Sequence, residues 1–255
     1  MNGILLAFLG TTFTFMITTL GSLNVFWVKK NMCNDIQCIF LGFAGGVMVA
    51  ASIWSLLIPA IDSADANNQI SWLITSGGFL IGVFILLAAD KVIRRKVNLP
   101  IKKKTLMLVL AVTIHNIPEG MAIGLAFALA MQNPDNPGLM SGAIALAIGI
   151  GIQNYPEGTA VALPLIGEGV SKKKAFLIGS MSAIVEPIFG VLAALLASVV
   201  KSGMPLLLAI AAGTMIYVVI EELVPEAHMG EKDNVGTLGF IVGFVIMMIL
   251  DVALG

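Results

Sequence analysis

Eight continuous apolar stretches, at about 3–28, 39–61, 70–89, 105–131, 138–166, 174–199, 204–227 and 235–254, fill nearly the whole chain. A helix needs about 20 such residues to cross the hydrocarbon of a bilayer, so each stretch is long enough to span one. The runs do not alternate with polar residues, which excludes a transmembrane β-barrel. Only 11% of residues are charged, and 58% are hydrophobic. Soluble domains carry about a quarter charged residues, so a soluble fold is excluded, and intrinsic disorder with it. The expected fold is an all-α membrane protein with eight transmembrane helices. The longest polar connection, KVIRRKVNLPIKKK at 91–104, is too short and too charged to fold alone, so residues 1–255 read as one domain. The first stretch lacks a basic start and exceeds the apolar core of a signal peptide, so it reads as a retained span. Cys33 and Cys38 are too few for a disulfide scaffold or a zinc knuckle. A net charge of −1 leaves no basic excess for nucleic acid. The surrounding partner is the lipid bilayer.

The few charges orient the chain. Thirteen of the fourteen Lys and Arg follow the odd-numbered stretches: Lys29, Lys30, seven between Lys91 and Lys104, Lys172 to Lys174, and Lys232. Only Lys201 lies on the other side. Basic residues stay cytoplasmic, so both termini are expected outside the cytoplasm of a plasma (inner) membrane. Asp62, Asp65 and Asp135 are expected in connections on the outer side, a mildly acidic mouth for an arriving cation.

An internal repeat lies in the middle of the chain. IHNIPEGMAIGLA at 114–126 and IQNYPEGTAVALP at 152–164 share Ile114/Ile152, Asn116/Asn154, Pro118/Pro156, Glu119/Glu157 and Gly120/Gly158, with His115 opposite Gln153. The spacing is one helix plus a turn, so the copies run antiparallel. Such a pair implies a pseudo-two-fold axis in the membrane plane, with a site at the midplane. His115 and Glu119 are one helical turn apart, as are Gln153 and Glu157, so each pair shares a face. The prolines are expected to kink both helices and to free the carbonyls of Ile114 and Ile152. Small-residue stripes, GFAGG at 42–46 and SGAIALAIGIGI at 141–152 among them, permit close helix packing and would allow a homodimer.

Energetics single out three residues. A carboxylate at the centre of a membrane helix costs at least about 2.5–3.5 kcal/mol. Glu119, Glu157 and Glu186, in IVEPIFG, therefore need roughly 7–10 kcal/mol of compensation. No Lys or Arg occurs within any span to supply it. A divalent cation would, because ion and ligands cancel one another's burial penalty. One imidazole with several carboxylates and amide oxygens suits Zn²⁺, Fe²⁺, Mn²⁺ or Cd²⁺. All-oxygen Ca²⁺ and Mg²⁺ sites would not need His115. Metal ligands must be deprotonated, so uptake is expected to depend on pH.

HNIPEG in the fourth stretch and QNYPEG in the fifth resemble the paired motif of the ZIP family of divalent metal transporters. The glutamine variant, with ASIWSLLIPA at 51–60 and EELVPEAH at 221–228, is similar to the GufA-like branch of that family. The resemblance implies eight helices in a 3+2+3 inverted-repeat arrangement with a central binuclear site in helices 4, 5 and 6. It further implies that His115, Glu119, Gln153 and Glu157 line one metal site and that Met48 approaches it. Asn116, Asn154 and Glu186 would build a second site that shares Glu119 and Glu157. Ser55 and Asp62 would flank the outer entrance. Gln153 replaces a histidine found in many members, and no histidine-rich segment lies between the third and fourth spans.

The expected function is zinc uptake toward the cytoplasm, with Zn²⁺ as transported substrate and Fe²⁺, Mn²⁺ and Cd²⁺ as further candidates. An intramembrane metalloprotease would need a helix such as HExxH, and the two histidines, His115 and His228, are far apart. Mid-membrane carboxylates also relay protons, but the repeated Asn beside each motif argues for a dehydrated metal. Glu221, Glu222, Glu226 and His228 read either as an exit-side metal stop or as a solvated helix end.

Overall fold

The computed structural model describes residues 3–27, 34–96, 103–167, 169–199, 201–227 and 234–254; some side chains within them, that of His115 included, are not described. Every regular element among the described residues is helical. Among the described residues eight helices are long and apolar enough to cross a membrane: α1 (Gly3–Phe26), α2 (Cys38–Ala66), α3 (Ser71–Ala88), α4 (Val112–Gln132), α5 (Pro137–Leu163), α6 (Lys172–Val199), α7 (Met204–Glu226) and α8 (Val235–Ala253). They coincide with the eight apolar stretches of the sequence. His228 lies outside the described residues.

The helices are sorted by side-chain size as much as by polarity. On α1, Ala7, Thr11, Thr14, Thr18 and Ser22 are buried, while Leu5, Phe8, Leu9, Phe13, Met16 and Leu20 are exposed. Lipid tails are as apolar as leucine, so nothing drives large apolar groups inward. Close backbone packing favours small residues between helices instead. α4 is the most enclosed of the eight spans. α1, α4, α5 and α6 pack mutually around it, α2 pairs with α8, and α3 pairs with α7.

The pairings bring backbones into direct contact. A Cβ on Gly46 would overlap the Phe240 carbonyl oxygen, and one on Gly243 would overlap that of Phe43, which fixes α2 against α8. Between α3 and α7, a Cβ on Gly213 would overlap the Phe79 carbonyl oxygen, and one on Gly82 that of Ile210. Most small-residue stripes are thus used inside the chain. Gly77 and Gly142 face open space, with no atom within 4 Å of an added Cβ.

Three details differ from the sequence reading. α2 continues to Ala66, so Asp62 and Asp65 sit exposed on its last turns rather than in a connection. The helix of α3 likewise runs on to Lys96, and that of α4 starts at Lys103. Helical geometry is also unbroken through Pro118 and Pro156. Proline removes the amide partner of the i−4 carbonyl, yet both helices continue past it. The interruptions occur elsewhere. α2 carries a π-helical turn at Ser52–Leu57, just before Pro59, and α7 one at Val219–Leu223, just before Pro225. α6 is broken by turn residues 182–184, directly ahead of Glu186 and Pro187. π-Turns widen a helix by one residue and concentrate at functional sites.

Candidate metal centre

Glu119, Gln153, Asn154, Glu157 and Glu186 are all buried, at 2% exposure or less, where α4, α5 and α6 meet. The Gln153 side-chain amide stands between the two motif glutamates and donates to Glu119 Oε1 and, at 3.3 Å, to Glu157 Oε1. An NH₂ group has two protons and a carboxylate only accepts, so two acceptors fix which end of the amide faces them. One position along the helix, Asn154 Nδ2 donates to Glu186 Oε1 at 2.9 Å. The Thr14 hydroxyl of α1 donates to Glu186 Oε2. The motif Asn–Gln pair thereby ties three carboxylates from three helices into two adjoining groups.

Backbone packing sets this geometry. A Cβ on Gly120 would overlap the Glu186 carbonyl oxygen and lie 2.6 Å from its Cα. A Cβ on Gly158 would overlap the Thr18 carbonyl oxygen of α1. The glycine after each motif glutamate is therefore the point where α4 meets α6 and α5 meets α1. Their role is close helix approach at the level of the carboxylates.

The cluster has acceptors in excess. Asn116 is 1% exposed, and neither atom of its amide has a hydrogen-bond partner among the described residues. Gln153 Oε1 and Asn154 Oδ1 also lack donors there. Buried polar groups are nearly always satisfied. Buried amide oxygens without donors, on side chains whose NH₂ groups hold carboxylates, supply the ligand types of a hard-to-borderline cation shell. Among the described residues no group of three His, Cys, Asp or Glu side chains is assembled on its own. The arrangement is carboxylates interleaved with amides.

Of the other residues singled out in the sequence, Met48, Ser55 and Asp62 lie on α2, and Glu221, Glu222 and Glu226 on α7. Met48 is fully buried in α2, which packs on α5 as well as on α8. Ser55 lies in the α2 π-turn, and its hydroxyl donates to Asp251 Oδ1 at 2.6 Å. Asp251, on α8, is a fourth buried carboxylate among the described residues and one that sequence reasoning passed over. It is buried, and both residues line a cavity of about 250 Å³ with Trp54, Pro59, Leu129 and Leu139. Asn136 and Gly138, at the start of α5, also line that cavity. Asp62 is exposed. On α7, Glu221 and Glu226 are exposed and Glu222 is half-buried.

Comparison with known proteins gives the family. The ZIP Zinc transporter family matches residues 95–251. Zinc transporter ZIP11 of Xenopus tropicalis is 34% identical over 99% of this chain and 98% of its own length. Zinc transporter GufA of Myxococcus xanthus is 34% identical over 93% of this chain and 94% of its own. Zinc transporter ZIPB of Bordetella bronchiseptica is 32% identical over 98% of this chain and 81% of its own. With whole-length matches of this kind, and the paired HNIPEG and QNYPEG helices at its centre, the chain belongs to the ZIP family of zinc transporters.

Proposed function

We propose that this protein carries zinc toward the cytoplasm of a plasma (inner) membrane through a binuclear site formed by helices α4, α5 and α6. Family membership makes it a divalent metal transporter and not an enzyme. The observation that carries the finer reading is the Gln153 amide held between Glu119 and Glu157. A cation arriving there displaces the amide protons, and rotation of the Gln153 amide then offers Oε1 as a ligand. His115, Glu119, Gln153 and Glu157 form the first site, with Met48 beside it. Asn116, Asn154 and Glu186 form the second and share the two motif glutamates. In this reading the thirteen basic residues mark the cytoplasmic side and leave both termini outside, and the acidic Asp62, Asp65 and Asp135 meet the cation on the outer side.

The eight helices follow a 3+2+3 inverted repeat in this reading. Supporting it, the Gly46–Phe240 and Gly243–Phe43 contacts of α2 and α8 have counterparts in the Gly213–Phe79 and Gly82–Ile210 contacts of α7 and α3. The π-turns of α2 and α7 also sit alike, each ending two residues before a proline.

Uptake into proteoliposomes tests the function: Glu119→Ala and Glu157→Ala are expected at the level of empty vesicles, and wild-type rates in both would sink it. A competition series against unlabelled Zn²⁺, Cd²⁺, Fe²⁺ and Mn²⁺ ranks the ions, with Zn²⁺ expected to compete best. The outer cavity gives a separate expectation. Asp251 touches none of the central ligands through the bonds above, so Asp251→Asn should raise KM for zinc several-fold and leave the maximal rate intact. A lowered maximal rate at unchanged KM would place Asp251 in the central step instead.

A further inference from the structure

One hydroxyl beside the carboxylates belongs to none of the expected site residues. α1 carries buried threonines at 11, 14 and 18, and α1 packs on α5 and α6. A threonine in a membrane helix commonly returns its proton to a carbonyl three or four residues back. Thr11 does so to Ala7 O at 2.6 Å, and Thr18 to Thr14 O at 3.2 Å. Thr14 has the same option at Thr11 O, 3.0 Å away, and a second at Glu186 Oε2. A hydroxyl has one proton to donate, so it serves one of these acceptors at a time.

We propose that Thr14 is a positioning residue for Glu186: it holds the carboxylate until a cation arrives, then releases it by turning its hydroxyl to the Thr11 carbonyl. The proposal rests on Glu186 being a metal ligand. The Glu186 main chain is wedged against Gly120, and Asn154 holds Oε1. Adjustment to a cation therefore falls on the carboxylate torsion and on the Thr14 hydroxyl. A hydrogen bond to a charged acceptor is stronger than one to a neutral carbonyl, so the hydroxyl competes with the cation for Oε2. Its fallback on Thr11 keeps it satisfied in both arrangements, and α1 need not move. Removing the hydroxyl takes a partner from Glu186 before loading and costs the loaded site little. The cation then binds more tightly and leaves more slowly.

Thr14→Val keeps the branched shape without the proton. Equilibrium zinc binding to the purified full-length chain is expected to tighten about tenfold. In proteoliposomes KM and maximal rate should fall together. A purely structural role would not lower KM. Thr14→Ser keeps the hydroxyl and should return both values to those of the wild type. Thr14→Ala is the second hydroxyl-free variant, usable if valine prevents folding, with the same expectation. In a Glu186→Gln background the loss of the hydroxyl should no longer change affinity. Zinc affinity that is unchanged or weaker in the hydroxyl-free variants, or a serine variant that behaves like them, overturns the assignment. A wild-type chain that binds no zinc would overturn the functional reading together with it, whereas a normal wild type with unmoved variants counts against Thr14 alone.

Discussion

Glutamine at position 157, or at 119, is expected to abolish zinc uptake while leaving the protein as stable as before or more so. The two effects have one cause. An ionised glutamate at mid-helix carries a burial penalty of about 2.5–3.5 kcal/mol, and glutamine removes most of it at nearly constant shape. The lost charge, however, is what holds the cation. Breaking a buried charge pair costs about 3–5 kcal/mol, and 1.4 kcal/mol is about a factor of ten, so affinity should drop by about two to three orders of magnitude. Thermal unfolding in detergent reads both sides. Zinc should raise the midpoint of the wild type, since a ligand that binds only the folded state stabilises it. It should leave Glu157→Gln and Glu119→Gln unmoved at the same concentrations. A zinc-induced shift of wild-type size in both variants would remove these carboxylates from the site.

The second large effect is on folding. Gly46→Ala and Gly213→Ala each place a methyl group on a carbonyl oxygen of the facing helix, Phe240 in one case and Phe79 in the other. Neither contact is with the flexible end of a side chain, so a whole helix must shift. Overpacking of this kind costs about 1–3 kcal/mol, and backbone obstruction puts these sites at the upper end. Gly77→Ala and Gly142→Ala add the same methyl to open space and serve as controls. The expected result is a lower unfolding midpoint and less folded protein for the first pair, alike in size for both, with the controls unchanged. Equal losses at 46 and 213 would also accord with an inverted repeat relating α2 and α8 to α7 and α3. A large loss at one alone would argue against it.

Much of this was legible in the residues. The eight spans could be read because a bilayer demands long uninterrupted apolar runs. The central cluster could be read because Glu119 and Glu157 recur in matched frames with Asn and Gly at fixed offsets. What was not legible depends on packing between distant segments. Asp251 has no repeat partner motif and lies near the end of the last span; only its meeting with Ser55 of α2 gives it a place. The helices run on through Pro118 and Pro156, whereas irregular turns lie ahead of Pro59, Pro187 and Pro225, where no sequence repeat draws attention to them. A proline states that one amide is missing, while its surroundings decide whether the helix opens there. Thr14 was silent for a related reason. Its local bond to Thr11 is what any threonine in such a helix makes, and its second acceptor is 172 residues away.

Gln153 is where sequence and structure inform each other most. In sequence it is a departure from histidine that weakens the case for a high-affinity zinc ligand. In the folded protein its amide bridges the two motif glutamates. An imidazole donates from each nitrogen in a different direction, whereas the amide sends both protons the same way. Glutamine thus holds two carboxylates together and still offers an oxygen after rotation.

The central claim is that zinc sits between Glu119 and Glu157 where the Gln153 amide now lies. Crystals of the full-length protein soaked in zinc, with anomalous differences measured on both sides of the zinc edge, test it directly. A zinc peak is expected within coordination distance of both carboxylates, with the Gln153 amide turned away from its present hydrogen bonds. Ordered zinc found only elsewhere in the bundle, or none there at saturating concentration, would contradict it.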